Sequence, residues 1–383
     1  MDAPLRIGIV GLGQRGLQHL KALIRLQAEG AVRVIALCDA FADNLAEDKI
    51  RRFVPDYAQG DIALHTDFDR LMDRGGVDAL YFAIPPTLHE GQLLKATRAG
   101  IHIFAEKPMS LYLDEAKEMD AAIRTAGVIS TVGFQMRYDA WNCAAGRFLD
   151  GKRIVMMNMV SHGTLESHSV KHTHTERLGG PGHRVWTASA AWSGGTLVEA
   201  GIHQTDLMRF WAGDIAWVQA AYIPRHPEDI VDGKDNPYGY AVTYGFHCGA
   251  VGTLTLSRLR KTSHQDGYQI VLWDHGHLKF EADGPVAYTD EGSDPSGRPP
   301  DPGRVRRALP TRPRNDATDD LNRAFVGAVR QGDPSILRST FGSSMNSLAA
   351  VLGANASHAL EGRRIDLHRF LESPEYEALR RKP

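Results

Sequence analysis

At 383 residues, 43% of them apolar, the chain is long enough to bury a large core and to divide into two domains. Lys and Arg number 44 against 46 Asp and Glu, and the formal charge of −2 removes any electrostatic ground for nucleic acid or an anionic membrane as partner. Cys38, Cys143 and Cys248 stand far apart with no Cys-x-x-Cys spacing, which argues against a disulfide framework or a thiolate zinc site and for a reducing cytoplasm. A small, polar, uncharged ligand suits this balance.

The chain runs from Met1 through Pro4 into the apolar stretch Leu5–Val10, too short for a signal-peptide core or a membrane span and read as a strand. As far as Phe134, β-rich runs alternate with helical patterns. Strands are expected at Leu5–Val10, Val32–Leu37, Ala63–His65, Ala79–Ile84, His102–Ala105 and Val128–Val132. Amphipathic helices are expected over Leu17–Gln27, Gly91–Ala99 and Asp114–Ala126, the last two ended by Gly100 and Gly127. These elements predict a doubly wound parallel α/β sheet.

Beyond Phe134 strands follow one another: Arg153–Val160, Val218–Ile223, Tyr240–Phe246, Val251–Leu259, Tyr268–Trp273 and His277–Phe280. A helix near Gly195–Trp211 precedes most of them. The pattern is that of an α+β domain with an open, mostly antiparallel sheet. Gly284–Arg314, rich in Pro, Gly, Asp and Arg and without periodicity, is read as a surface loop or arm. Helical patterns return at Asp319–Arg330 and Gly342–Leu360. The division expected is residues 1–134 and 135–383, with the late helices over 319–360 free to pack back on the first domain.

Gly11-Leu12-Gly13-Gln14-Arg15-Gly16 fits G-x-G-x-x-G directly between a strand and a helix. The first glycine permits the tight turn, the second lets backbone approach a pyrophosphate, and the third lets helix and strand pack closely. The next strand ends at Cys38-Asp39, about 20 residues on, where a carboxylate accepts from the adenosine ribose. Asp39 would repel a 2′-phosphate, and Ala40 and Phe41 offer no cation, so NAD is expected over NADP. Ile84-Pro85-Pro86-Thr87-Leu88-His89 and Ala105-Glu106-Lys107-Pro108 close later strands at the carboxyl edge of the sheet, where ligands bind. Pro108 keeps Lys107 out of helix, so that its ammonium can project toward a nicotinamide.

In order and spacing, the glycine motif, Pro85 to His89, Glu106-Lys107-Pro108, and Gly133-Phe134-Gln135-Met136-Arg137-Tyr138 resemble the glucose-fructose oxidoreductase, inositol dehydrogenase and rhizopine-catabolism family, written Gfo/Idh/MocA. The segment Gly194 to Asp206, with Glu199 and His203, completes the resemblance over nearly the whole chain. It implies hydride transfer at a sugar or cyclitol carbon, cofactor contacts from Gly11, Gly13, Gln14, Arg15, Gly16, Asp39, Ile84, Pro85, His89, Glu106, Lys107, Gln135 and Arg137, and a homo-oligomer, dimer or tetramer, formed through the outer face of the second sheet. Carried over by position, Lys107 holds the reacting oxygen, His203 is the general base and Glu199 supports them. Glu199 stands where the family usually has Asp.

On a regular helix Glu199, His203 and Asp206 fall at i, i+4 and i+7 and share a face, and a carboxylate one turn from an imidazole suits proton transfer. Between them and the first domain lies a histidine-rich stretch with His162, His168, His172, His174 and His183. His172 and His174 would share one face of a strand, a geometry open to sugar hydroxyls or to a metal with Glu166 or Glu176; the polyol reading is preferred and no metal site is assigned. His162, His172, His174 and Trp186 join Lys107, Arg137 and His203 as expected substrate residues. The leading expectation is an NAD-dependent sugar or cyclitol dehydrogenase. The alternatives are an NAD-using glycosidase working by oxidation and elimination, and a non-catalytic sugar sensor.

Overall fold

The computed structural model describes residues 3–164, 186–230, 233–259, 266–289, 305–314 and 316–382. Strands β1 (Leu5–Val10), β2 (Val32–Cys38), β3 (Ala63–His65), β4 (Ala79–Phe82), β5 (His102–Ala105) and β6 (Ser130–Val132) form a six-stranded sheet in the order β3-β2-β1-β4-β5-β6. Every pairing in it is parallel. β1 lies between β2 and β4, so the chain switches direction there and opens a crevice at the carboxyl ends of these strands. Helix α1 (Gln14–Ala28) follows β1 and buries Leu17, Leu20 and Leu23 against the sheet. Short helices α2 (Glu47–Arg51), α3 (Phe68–Arg74) and α4 (Gln92–Arg98), and the longer α5 (Leu113–Ala126), make the other crossovers.

The second sheet has nine strands. In chain order they are β7 (Ile154–Thr164), β8 (Ile215–Ile223), β9 (Gly239–Phe246), β10 (Val251–Leu259), β11 (Asp266–Trp273), β12 (Gly276–Glu281), β13 (Gly284–Thr289), β14 (Arg306–Ala308) and β15 (Ile365–Asp366). They are arranged β14-β13-β12-β11-β7-β10-β9-β8-β15, and only β7 with β10 is parallel. Strand alternation divides this sheet sharply. Met157, Met159, Leu254, Leu256, Val242 and Tyr244 are buried, while Met156, Thr255, Ala241 and Tyr268 on the other side are exposed. The buried side carries helices α6 (Ala140–Leu149), α8 (Ile202–Ala212) and α10 (Phe341–Ala359); the short α7 (Ala190–Ser193) precedes α8, and the late α9 (Ala317–Gln331) precedes α10. No helix covers the opposite side among the described residues.

Leu321, Phe325, Val326 and Ala328 of α9 belong to the same apolar cluster as Leu20, Leu23, Tyr81 and Phe104 of the first sheet and its helix. Ion pairs Arg25–Asp319 and Arg323–Glu29 flank that contact. No described helix is long and apolar enough to cross a membrane.

Three expectations need correction. Gly284–Arg314 is not one loop: Gly284–Thr289 pairs antiparallel with β12, and Arg306–Ala308 pairs with it in turn. Its turn-forming composition hides two short edge strands. The helix near Gly195–Trp211 is two pieces, a π turn over Leu197–Gly201 leading into α8. Helix α6 stands where no helix was expected; the Asp139 carboxylate caps it by accepting from the Trp141 and Asn142 N–H groups.

Candidate active site

The glycine turn sits at the crevice. Gly11 has φ +92°, and a Cβ there would lie 2.5 Å from the Ala83 carbonyl oxygen. A Cβ on Gly16 would lie 1.8 Å from the Gly11 oxygen, so both positions exclude a side chain. Gly13 caps α1 without a side-chain acceptor, which leaves the first N–H groups of the helix, beginning at the exposed Gln14, directed at an incoming anion.

Asp39 is 8% exposed and well supplied with donors: Oδ2 accepts from Leu12 N (2.7 Å), and Oδ1 accepts from Phe41 N (2.9 Å) and Asn44 Nδ2 (3.0 Å). The carboxylate expected only to meet a ribose also fastens the glycine turn to the end of β2. A cavity of about 470 Å³ opens beside it, lined by Gly11, Gly13, Asp39, Ile84 and Pro85 among others. Asp67, Asp69 and Glu90 also face this cavity, and its one lysine, Lys95, is paired with Asp69 at 2.6 Å. Four carboxylates against one paired lysine give the cavity an acidic lining, which suits NAD over a cofactor with an added phosphate. Glycines that leave no room for side chains, an uncapped helix N-terminus and a ribose-side carboxylate together fit a dinucleotide.

His89 ends a short turn at Pro86–Leu88, and its ring bonds to the backbone of Ile84 and Met109. Burial pushes its pKa down to about 4, which makes it a neutral tie between the loops that follow β4 and β5. Glu106 is 6% exposed, and the Arg15 guanidinium (2.7 Å) and His19 Nε2 (2.8 Å) bond to its Oε1. Burial alone would raise its pKa; the charge of Arg15 and the bond from His19 outweigh that and hold it well below the usual carboxylate range.

Lys107 reaches across to the second domain. Its Nζ donates to the Glu199 carbonyl oxygen at 2.7 Å and to Glu199 Oε1 at 2.9 Å, with both side chains mostly enclosed. His203 stands near, its ring edge-on to Phe134 at 6.3 Å, and its Nδ1 is buried without a hydrogen-bond partner. Burial, then the charge of Lys107, drive its pKa well below the ordinary histidine value, so the imidazole is neutral. Gln135 Oε1, on the turn Gln135–Tyr138, and Gln204 Oε1 on α8 are likewise buried and unpartnered. The sequence reading did not assign Gln204, although it lies inside the motif.

Other expected site residues have partners of their own. Arg137, assigned above to cofactor and substrate, is 7% exposed and forms a two-point pair with Asp206, Nε to Oδ2 and Nη2 to Oδ1, each at 2.7 Å. It also donates to the Arg338 carbonyl and lies over the Phe210 ring. Asp206, placed with Glu199 and His203 on one helix face, turns to Arg137 and Ser347. The π turn accounts for this, because i→i+5 bonding widens the turn and shifts Glu199 out of phase with α8. His162 bonds through Nδ1 to Ser257 Oγ (2.7 Å) on the open side of the second sheet, since its neighbour Leu256 faces the helices and meets Gly201. Trp186 lies half-buried in a short turn, and nearby the Trp192 carbonyl accepts from Thr87 Oγ1 (2.6 Å), joining the second domain to the first. His172, His174 and the rest of that histidine cluster, His168 and His183, lie outside the described residues. Among the described residues no group of three His, Cys, Asp or Glu side chains could hold a metal ion.

Comparison with known proteins identifies the family and the fold. Residues 5–134 match the profile described as "Oxidoreductase family, NAD-binding Rossmann fold", and residues 156–276 match the "GFO/IDH/MocA C-terminal domain". The chain is 26% identical over 280 residues to the scyllo-inositol 2-dehydrogenase (NAD(+)) of Bacillus subtilis (strain 168), covering 71% of this chain and 72% of that protein. It is also 26% identical to the myo-inositol 2-dehydrogenase of Thermotoga maritima over 365 residues, 94% of this chain and 97% of that one. Among solved structures, an oxidoreductase from Agrobacterium radiobacter in complex with NAD+, L-tartaric acid and magnesium shares the fold, with a TM-score of 0.71 at 15% identity over 96% of this chain and 99% of that chain.

Proposed function

We infer, since the chain belongs to the Gfo/Idh/MocA family of NAD-binding oxidoreductases, that it oxidises a CH–OH group of a sugar or cyclitol, or reduces the corresponding ketone. The observation that carries this reading is the neutral His203, its Nδ1 buried and unpartnered, within the electrostatic reach of Lys107. Gly11, Gly13 and the N-terminus of α1 would hold the diphosphate of NAD, and the Asp39 carboxylate would face its ribose. NAD, when bound, supplies the hydride acceptor.

His203 takes the proton of the substrate hydroxyl. Two donors of the Lys107 ammonium are spent on Glu199, which leaves the third to steady the oxygen as it becomes a carbonyl. Glu199 fixes the direction of that ammonium, and its longer arm, compared with the Asp usual in the family, reaches Lys107 directly. Gln135 and Gln204 offer buried acceptors to cofactor or polyol hydroxyls. We keep Trp186, His172 and His174 as substrate contacts on the strength of the sequence.

Exposed apolar residues on the open sheet face, Met156 and Tyr268 with Ile223 further along, support a homo-oligomer through that surface. The free cysteines Cys38, Cys143 and Cys248 fit a cytoplasmic setting. The test is NADH formation with a panel of inositols, sugars and glycosides. One polyol should give NADH in the native protein and none in His203→Ala. Cleavage of a glycoside without lasting NADH would replace the reading with oxidation and elimination.

A further inference from the structure

A buried chain of polar groups behind the active site has no part in the chemistry described so far. His19, on the second turn of α1, has no exposed surface, and its ring packs edge-on against Phe104 at 4.6 Å. Asn322 of α9 reaches it from 303 residues away: Asn322 Nδ2 lies 3.0 Å from His19 Nδ1 and also donates to the Thr318 carbonyl at 2.7 Å. An amide that donates to Nδ1 leaves the ring proton on Nε2, and Nε2 points at Glu106 Oε1, 2.8 Å away. Burial lowers the pKa of His19, in keeping with this neutral form.

Glu106 is the meeting point. Its Oε1 accepts from His19 and twice from Arg15, through Nε at 3.0 Å and Nη2 at 2.7 Å, and its Oε2 accepts from the backbone N–H of Lys107 at 3.1 Å. The carboxylate also lies against Gly133, where a Cβ would come within 2.7 Å of Oε1, so the absent side chain there is what makes room for it. One anion therefore holds a side chain of the glycine turn and the main chain of the reacting lysine, and a buried anion keeps its place only while its donors are complete.

We propose that His19 is a positioning residue: its Nε2–H, fixed by Asn322, holds the Glu106 carboxylate where that group sets Arg15 for the dinucleotide and Lys107 for the substrate oxygen. The substrate half of this assignment rests on the dehydrogenase reading above; the dinucleotide half does not. It also gives α9 a task besides packing, since Asn322 sets the tautomer from outside the parallel sheet.

The experiment measures the NAD Kd of the full-length protein by tryptophan-fluorescence titration, with kcat and KM for a polyol substrate and the folded fraction from near-UV circular dichroism. His19→Leu keeps bulk but loses both polar contacts, and the NAD Kd of the folded protein should rise about tenfold, the scale of one lost bond to a buried charge. His19→Gln, with an amide donor for Glu106 and a carbonyl for Asn322, should recover to within about threefold of the native Kd. If His19→Leu lowers the melting temperature and leaves the Kd of the folded protein unchanged, the residue only packs and the proposal is overturned. Should that variant not fold, Asn322→Ala gives the same reading with the ring in place: a raised Kd supports the proposal and a native Kd overturns it. If the native protein oxidises no polyol while the Kd still shifts, the substrate assignment fails and the dinucleotide half of this one stands.

Discussion

Replacing Asp206 by alanine takes two charge-assisted bonds from Arg137 and one from Ser347, all three at 2.7 Å, at a site where the Asp206 side chain is 1% and the Arg137 side chain 8% exposed. What remains for the guanidinium is the Arg338 carbonyl and the face of Phe210. Breaking one half of an enclosed ion pair costs about 3–5 kcal/mol, because the other half stays buried with its charge uncompensated. At about 2 °C per kcal/mol for a large domain, the melting temperature of Asp206→Ala should fall by roughly 6 °C or more. Arg137→Met combined with Asp206→Leu, which removes both charges, should regain much of that loss. The assay is a thermal melt by circular dichroism beside an NAD titration of the folded protein. A drop under about 2 °C would refute the ledger of contacts. An unchanged melt with a large rise in NAD Kd would show that Arg137 serves the cofactor, as its place in the motif suggested, and does not brace α8.

Gly16→Ala should abolish NAD binding in a fluorescence titration while far-UV circular dichroism stays native, since its Cβ must displace the Gly11 carbonyl that shapes the diphosphate turn; retained binding would mean that the turn is not the cofactor cradle. Stability should fall as pH drops from 6.5, the ordinary histidine value, toward 4. Burial depresses His89 to about 4 and also lowers His19 and His203, so in that window the unfolded chain binds protons that the folded chain refuses. His89 alone accounts for a loss on the order of 3 kcal/mol. Urea midpoints that stay level across this range would contradict it.

How much of this was legible in the sequence depended on whether a residue's task is set nearby or far away. The glycine turn was readable because Gly11 and Gly16 answer to their own strand and helix, and Lys107 because Pro108 and the end of β5 fix its neighbourhood. The second task of Asp39 was not, since spacing says that a carboxylate stands by a ribose but not that the Leu12 N–H points at it. The shared face of Glu199, His203 and Asp206 assumed a regular helix, and no residue in Leu197–Gly201 announces a π turn. The side on which His162 stands was hidden for another reason: alternation says which residues share a side of β7 but not which side meets the helices. His19 carried a signal that was passed over, a histidine in register with Gly16, Leu20 and Leu23 on the buried stripe of α1. Its partner Asn322 could not be guessed from sequence, because only the return of α9 brings it close.

That return also bears on how the molecule comes into being. The nucleotide-binding half is made first, yet its apolar cluster is completed by Leu321, Phe325 and Val326, and its buried His19 by Asn322. Until α9 has been synthesised, the outer side of α1 and the rings of Tyr81 and Phe104 lack their cover, so the first half of the chain waits, open to solvent or to a chaperone, while the entire second sheet is still emerging.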